Sequence, residues 1–238
     1  MRVLPVLIVL PLAACSVQSE ASPAGAGDTR SFTIADFSGV SLRGSDDVDV
    51  RVGSAFSVRA TGPRAELDKL EIVRDGDTLR VGRKRNLAGW SWGGSHDRVK
   101  VFVTMPRIVA AQIAGSGNLA IDRVEGTRFD ADAAGSGNLT VATLTVPRAK
   151  LSVAGAGNIE ARGRVERLTI NVAGSGNVAA AGLKARTASV SVTGSGNVRA
   201  DVAGPASVSL IGSGNVDLGR TAACSTTKIG SGEVRCGG

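Results

Sequence analysis

The chain has 238 residues, with 28 Lys and Arg against 21 Asp and Glu for a formal net charge of +7, and it carries 32 Gly, 3 Cys, 1 His and no Tyr. One His and three Cys exclude a His-rich or four-cysteine zinc site, and 5 Phe with 2 Trp exclude a large core built on aromatic rings. Hydrophobic residues reach 42%, too many for a chain disordered by composition, and Val, Ala, Leu and Ile suit a narrow core of small branched side chains.

Residues 1–14 read as a secretory signal: Arg2, then an apolar run from Val3 to Leu10, then small residues. The run is too short to span a bilayer as a helix. Its ending, Leu12-Ala13-Ala14-Cys15, resembles the lipobox of bacterial lipoproteins. That resemblance implies that Cys15 is acylated, becomes the first mature residue and binds the chain to a membrane. Stable anchoring takes more than one acyl chain. Ser16, where an Asp would imply inner-membrane retention, favours the outer membrane by the same resemblance. Residues 15–29 are small and polar, a flexible tether reaching about 20 Å.

Residues 30–107 form an expected N-terminal β cap and first coil. Strand candidates are Ser31–Ile34, Val48–Val52, Phe56–Ala60, Leu70–Arg74, Thr78–Gly82 and Arg98–Thr104. Asp75-Gly76-Asp77 signals a hairpin, and Pro63 to Lys69 suits a short helical turn. The loop from Lys84 to Asp97 holds Trp90, Trp92 and His96 among Gly and Ser. Its aromatics can mark a sugar or protein contact, or fold back over the open end of the core. The basic residues are scattered, densest at Arg80, Arg83, Lys84 and Arg85. None forms a run interleaved with Phe or Tyr, so nucleic acid is not an expected partner. The charge could lean on anionic lipid or polysaccharide, or simply be solvated.

Residues 108–238 are dominated by a repeat. Gly-Ser-Gly-Asn begins at Gly115, Gly135, Gly174, Gly194 and Gly212, with variants at Gly155 and Gly230. Successive spacings are 20, 20, 19, 20, 18 and 18 residues, and a weaker copy begins at Gly44. Period-two alternation flanks each tetrad, as in Leu151 and Val153 before Gly155, or Leu139 and Val141 after Asn138. Half-buried strands of this length, turning at identical corners, predict a parallel β-solenoid. Seven coils at about 4.8 Å would give a rod about 30 Å long. Gly and Asn both tolerate positive φ, which suits a sharp corner. Stacking would set Asn118, Asn138, Asn158, Asn177, Asn197 and Asn215 one above another, their amides bonding along the stack. A nucleotide loop does not fit, because no third Gly and no helix follow.

An outward polar row precedes the tetrads: Gln112, Asp132, Ser152, Asn171, Ser191, Ser209 and Thr227. At the C-terminal end Lys228 falls on the inward stripe and Glu233 replaces Asn, both suited to a last coil facing solvent. With Cys15 acylated, Cys224 and Cys236 remain as an even pair in an oxidising compartment, an expected disulfide.

The repeated GSGN corners, the N-terminal strand unit, the lipobox-like start and the terminal Cys pair resemble the bacterial head GIN domain family, labelled an auto-transporter adhesin domain. The resemblance covers residues 30–236. It implies an all-β, single-stranded right-handed parallel β-helix with an N-terminal antiparallel strand cap, exposed in the cell envelope. It carries no catalytic or binding residues to transfer. No β-barrel sequence follows, so an autotransporter is not expected. The reading is a non-catalytic, lipid-anchored envelope protein with a structural or adhesin-like role, without cofactor or metal, whose partners are the membrane and an envelope polysaccharide or protein. Two alternatives stand beside it. One is a polysaccharide-degrading enzyme, for which Asp130 and Asp132 are the carboxylate pair with workable spacing. The other is a self-assembling scaffold.

Overall fold

The computed structural model describes residues 28–84 and 98–237. Cys15, the signal and most of the tether lie outside the described residues, as do Trp90, Trp92 and His96. The N-terminal part contains β1 (Asp28–Phe32), β2 (Gly39–Gly44), β3 (Asp47–Val52), β4 (Ser57–Gly62), α1 (Arg64–Lys69), β5 (Leu70–Asp75), β6 (Thr78–Arg83) and β7 (Lys100–Met105). β1 begins two residues inside the stretch read as tether. The repeat region contains β8 (Ala110–Gly115), β9 (Asn118–Glu125), β10 (Arg128–Gly135), β11 (Asn138–Gly155), β12 (Asn158–Gly174) and β13 (Asn177–Gly194). It ends with β14 (Asn197–Val202), β15 (Pro205–Gly212), β16 (Asn215–Asp217), β17 (Ala223–Ile229) and β18 (Glu233–Arg235).

The strands form a β-solenoid, and the corners stack in parallel register. Gly44 pairs with Gly115, Gly115 with Gly135, and so on through Gly155, Gly174, Gly194 and Gly212. The weak copy at Gly44 is therefore a full tier, although 71 residues separate it from its neighbour. On one side of the corner, β5, β6, β2, β8, β10 and the C-terminal halves of β11, β12 and β13 run in order to β15 and β17. On the other, β1, β4, β7, β3, β9 and the N-terminal halves of β11 to β13 run on to β14, β16 and β18. The antiparallel pairs β1–β4, β4–β7 and β5–β6 all lie at the N-terminal end. They cover the open edge of the first tiers, an edge that would otherwise recruit other strands.

Alternation builds the core. Leu42, Ile113, Ala133, Val153, Val172, Val192 and Leu210 form one buried column, each beside the next. Leu119, Leu139, Ile159, Val178, Val198 and Val216 form another. Each such side chain contributes about 1.5–3 kcal/mol by leaving water. The long strands β11, β12 and β13 also bend. In β11 the alternation slips at two exposed pairs, Ala142-Thr143 and Pro147-Arg148, dividing the tier into three short runs. The pairing register shifts at the first of these bends.

The corner glycines serve two needs. Gly174 has φ +121°, and a Cβ there would sit 2.4 Å from the Gly155 carbonyl oxygen. Gly176 has no positive φ, but its Cβ would sit 2.2 Å from the Gly157 oxygen. Tight stacking also satisfies the backbone, because the Ser175 and Gly176 N–H groups both donate to the Gly155 carbonyl, at 2.9 and 3.0 Å. Asn does not serve by positive φ. Among the described non-glycine residues only Asp36 has one.

Candidate functional site

The asparagines expected to share an edge form a continuous chain of side-chain hydrogen bonds. Asn118 Nδ2 donates to Asp47 Oδ1 at 2.8 Å. Asn138 donates to Asn118, Asn158 to Asn138, Asn177 to Asn158, Asn197 to Asn177 and Asn215 to Asn197, at 2.8–3.0 Å. All donors point towards the N-terminal end, so the amide dipoles align. The Asp47 carboxylate terminates the donor end, the sign that favours it electrostatically. At the acceptor end, the Glu233 backbone N–H reaches Asn215 Oδ1 at 3.1 Å. The Glu233 carboxylate turns aside to Arg235. That hydrogen-bonded guanidinium holds Glu233 below its ordinary pKa, and Glu233 raises Arg235 in return.

The polar row also stacks in register: Gln112, Asp132, Ser152, Asn171, Ser191, Ser209 and Thr227 are successive neighbours. Their positions are half-buried to exposed, although the Ser152 hydroxyl oxygen itself is covered and unpartnered. Asp130 and Asp132 lie on this open face. Asp130 sits between Ala110 and Lys150, and Asp132 between Gln112 and Ser152, so neighbouring tiers bring neither a further acid. Hydrolysis by a carboxylate pair needs one of them kept protonated in an apolar setting. Asp130 is instead 40% exposed, 4.0 Å from Arg128. Among the described residues no group of three or more His, Cys, Asp or Glu is arranged to hold a metal.

Two hollows occur on the face bearing the Asn chain. One, about 320 Å³, lies at the N-terminal end among Thr29, Asp49, Arg51, Arg59, Thr61 and Phe102. The other, about 230 Å³, lies beside Asn215, Asp217, Glu233 and Arg235. The second falls below, and the first lies at the lower edge of, the roughly 300–1,000 Å³ of typical ligand clefts. They suit contact with a flat or extended partner better than enclosure of a small substrate.

Ionic and covalent ties secure both ends. Asp46 is fully buried at the first corner, where its carboxylate accepts from Val99 N–H at 3.1 Å and from Arg83 Nε at 2.8 Å. Arg83 also bonds Glu66, which pairs with Lys69 at 2.7 Å, so helix α1 is tied to the corner. Hydrogen bonds from Lys69 and then Arg83 hold Glu66 below its ordinary pKa. At the far end Cys224 and Cys236 are disulfide-bonded, their Cα atoms 6.1 Å apart. Lys228 stands beside Leu210 on the inward column and donates to the Gly232 carbonyl at 3.0 Å.

Comparison with known proteins decides the family. The family model described as "Putative auto-transporter adhesin, head GIN domain" matches residues 36–221, most of the chain. This chain belongs to the head GIN domain family. Solved structures share its fold. A "putative adhesin" from Bacteroides fragilis is 17% identical with a TM-score of 0.80, covering 90% of this chain and 98% of its own. A "putative lipid binding protein" from Parabacteroides distasonis is 24% identical with a TM-score of 0.71, covering 90% and 97%. A "putative adhesin" from Parabacteroides merdae is 19% identical with a TM-score of 0.69, covering 90% and 97%. At these identities the solved structures establish the fold alone. No curated protein sequence matches.

Proposed function

We propose that this head GIN protein is a non-catalytic, adhesin-like binding protein of the bacterial cell envelope, held at the outer membrane by acylated Cys15. The observation that carries the reading is the outer surface. Rows of polar side chains run across successive tiers at one strand spacing, about 4.8 Å, and match an extended partner. The family label and the adhesin names of the structural relatives support it. The lipobox-like Leu12-Ala13-Ala14-Cys15 supports the anchor.

Two experiments test it. Cells fed labelled palmitate should label the wild type and not Cys15→Ser, which should leave the membrane fraction. Protease added to intact cells should remove the domain, and cells carrying it should adhere to polysaccharide-coated surfaces better than a deletion strain. An unlabelled wild type sinks the anchor. Full protection from protease, or equal adhesion by the deletion strain, sinks the adhesin-like role.

A further inference from the structure

Five arginines recur with the tier period: Arg107, Arg128, Arg148, Arg167 and Arg186. They read as scattered in sequence, but the strand register gathers them. Arg128 pairs with Arg148, and Arg148 with Arg167. Arg167 pairs with Thr187, which follows Arg186. At the other end Arg107 Cδ lies 4.0 Å from where a Cβ on Gly126 would sit, two residues before Arg128. Each tier from Arg107 to Arg186 thus places one arginine at the same bend. All five are exposed.

Acids offset this ridge only in part, and Glu166 stands level with Arg186 in the register. Arg128 approaches Asp130 at 4.0 Å. Among the described residues, Arg107, Arg148, Arg167 and Arg186 have no carboxylate within the 4.0 Å ion-pair distance. Lys150 lies beside Asp130 on one flank, and Arg164 pairs with Lys184 on the other. Like charges directly opposite across strands are destabilising. The ridge therefore costs folding free energy, which an external anion would relieve.

We infer that the ridge binds an acidic polysaccharide chain, laid lengthwise along the stack. This rests on the adhesin-like reading above and names its partner. Five arginines at about 4.8 Å span roughly 19 Å of a single convex edge. A uronate polymer presents one carboxylate per ring, at close to one strand spacing, and a guanidinium fork holds a carboxylate through two parallel hydrogen bonds. The ridge is one cation wide and its neighbours, Pro147, Thr127 and Glu166, offer no aromatic ring for base stacking. A single thin polyanion fits it better than a nucleic acid does.

The test uses the purified full-length chain with polygalacturonate and its fully methyl-esterified form. The acidic polymer should bind and the neutral ester should not. Arg148→Gln, Arg167→Gln and Arg186→Gln combined should weaken binding at least tenfold and flatten its salt dependence, since fewer counterions are released. Arg64→Gln, Arg74→Gln and Arg220→Gln combined remove the same charge elsewhere and should leave affinity within twofold. The ridge variant should melt at or above the wild-type temperature, and the control variant should melt like wild type. Unchanged binding by the ridge variant overturns the proposal, as does equal loss in the control variant. Stronger binding of double-stranded DNA at matched charge and salt overturns the assignment of partner. Polymer binding that survives the ridge substitutions sinks only the ridge, whereas wild-type cells that adhere no better than a deletion strain sink the broader reading whatever the polymer does.

Discussion

At Gly174 two constraints coincide, and each forbids a side chain. Its φ is +121°, and a Cβ would press on the Gly155 carbonyl at 2.4 Å. Gly174→Ala should therefore cost about 2–4 kcal/mol, measured by urea unfolding, because local strain and backbone displacement add. Ser175→Ala, at the next position, should change stability by under about 0.5 kcal/mol. Asn158 matters for what it connects. Asn158→Ala removes the donor to Asn138 and the acceptor for Asn177, and should cost about 1–2 kcal/mol. Asn158→Asp should be worse at neutral pH, where a carboxylate cannot donate to Asn138, and should recover as acid protonates it. The tetrads were legible in sequence because both glycines and the Asn recur together. The ladder of Asn amides was legible for the same reason; what failed was the expectation that Asn also turns the chain through a positive φ, which no tetrad Asn adopts.

Helix α1 and the first corner form one ionic unit through Asp46, Arg83, Glu66 and Lys69. Asp46→Ala leaves Arg83 with Glu66 alone and the buried Val99 N–H without its acceptor, at an expected cost of about 2–4 kcal/mol. Glu66 adds a pH dependence of definite sign. Its folded pKa is depressed, so its contribution is complete above the unfolded value, near pH 4.3, and is lost as pH falls through the lower folded value. The stability difference between wild type and Glu66→Gln should be largest at neutral pH and shrink in acid titrations below about 4.3. At the other end the disulfide closes a separation of 12 residues, worth about 2–3 kcal/mol in the loop-entropy model. Cys224→Ser should speed amide exchange in β17 and β18 and leave β9 to β12 unchanged. Sequence reading placed most N-terminal strands within two residues but passed over β2. Val40 and Leu42 ahead of Gly44 carried the same alternation as every repeat, and the long insertion before the next tier hid the match. The bends inside β11 to β13 were also missed. Their signal is a pair of consecutive outward residues, far weaker than a glycine.

Across the whole molecule, a solenoid residue meets its own tier and the two beside it, so stability is close to a sum of neighbour terms. The parallel architecture was readable from period alone, because only stacked tiers return identical residues to identical places. What period did not reveal was which of the scattered charges share an edge. That depends on where each tier bends, and the exposed pairs at Pro147-Arg148 and Glu166-Arg167 become neighbours only through the register.

The unbroken amide chain from Asp47 to Asn215 has a consequence for the size of the molecule. Every tier hands upward the same bonding pattern that it receives from below, so length is free to change in whole steps. Copying residues 158–176 once more between Gly176 and Asn177 should move the disulfide-closed tip outward by one strand spacing, about 4.8 Å, with no new joint to design. Reach then becomes a digital quantity, set by how many times one short unit is written.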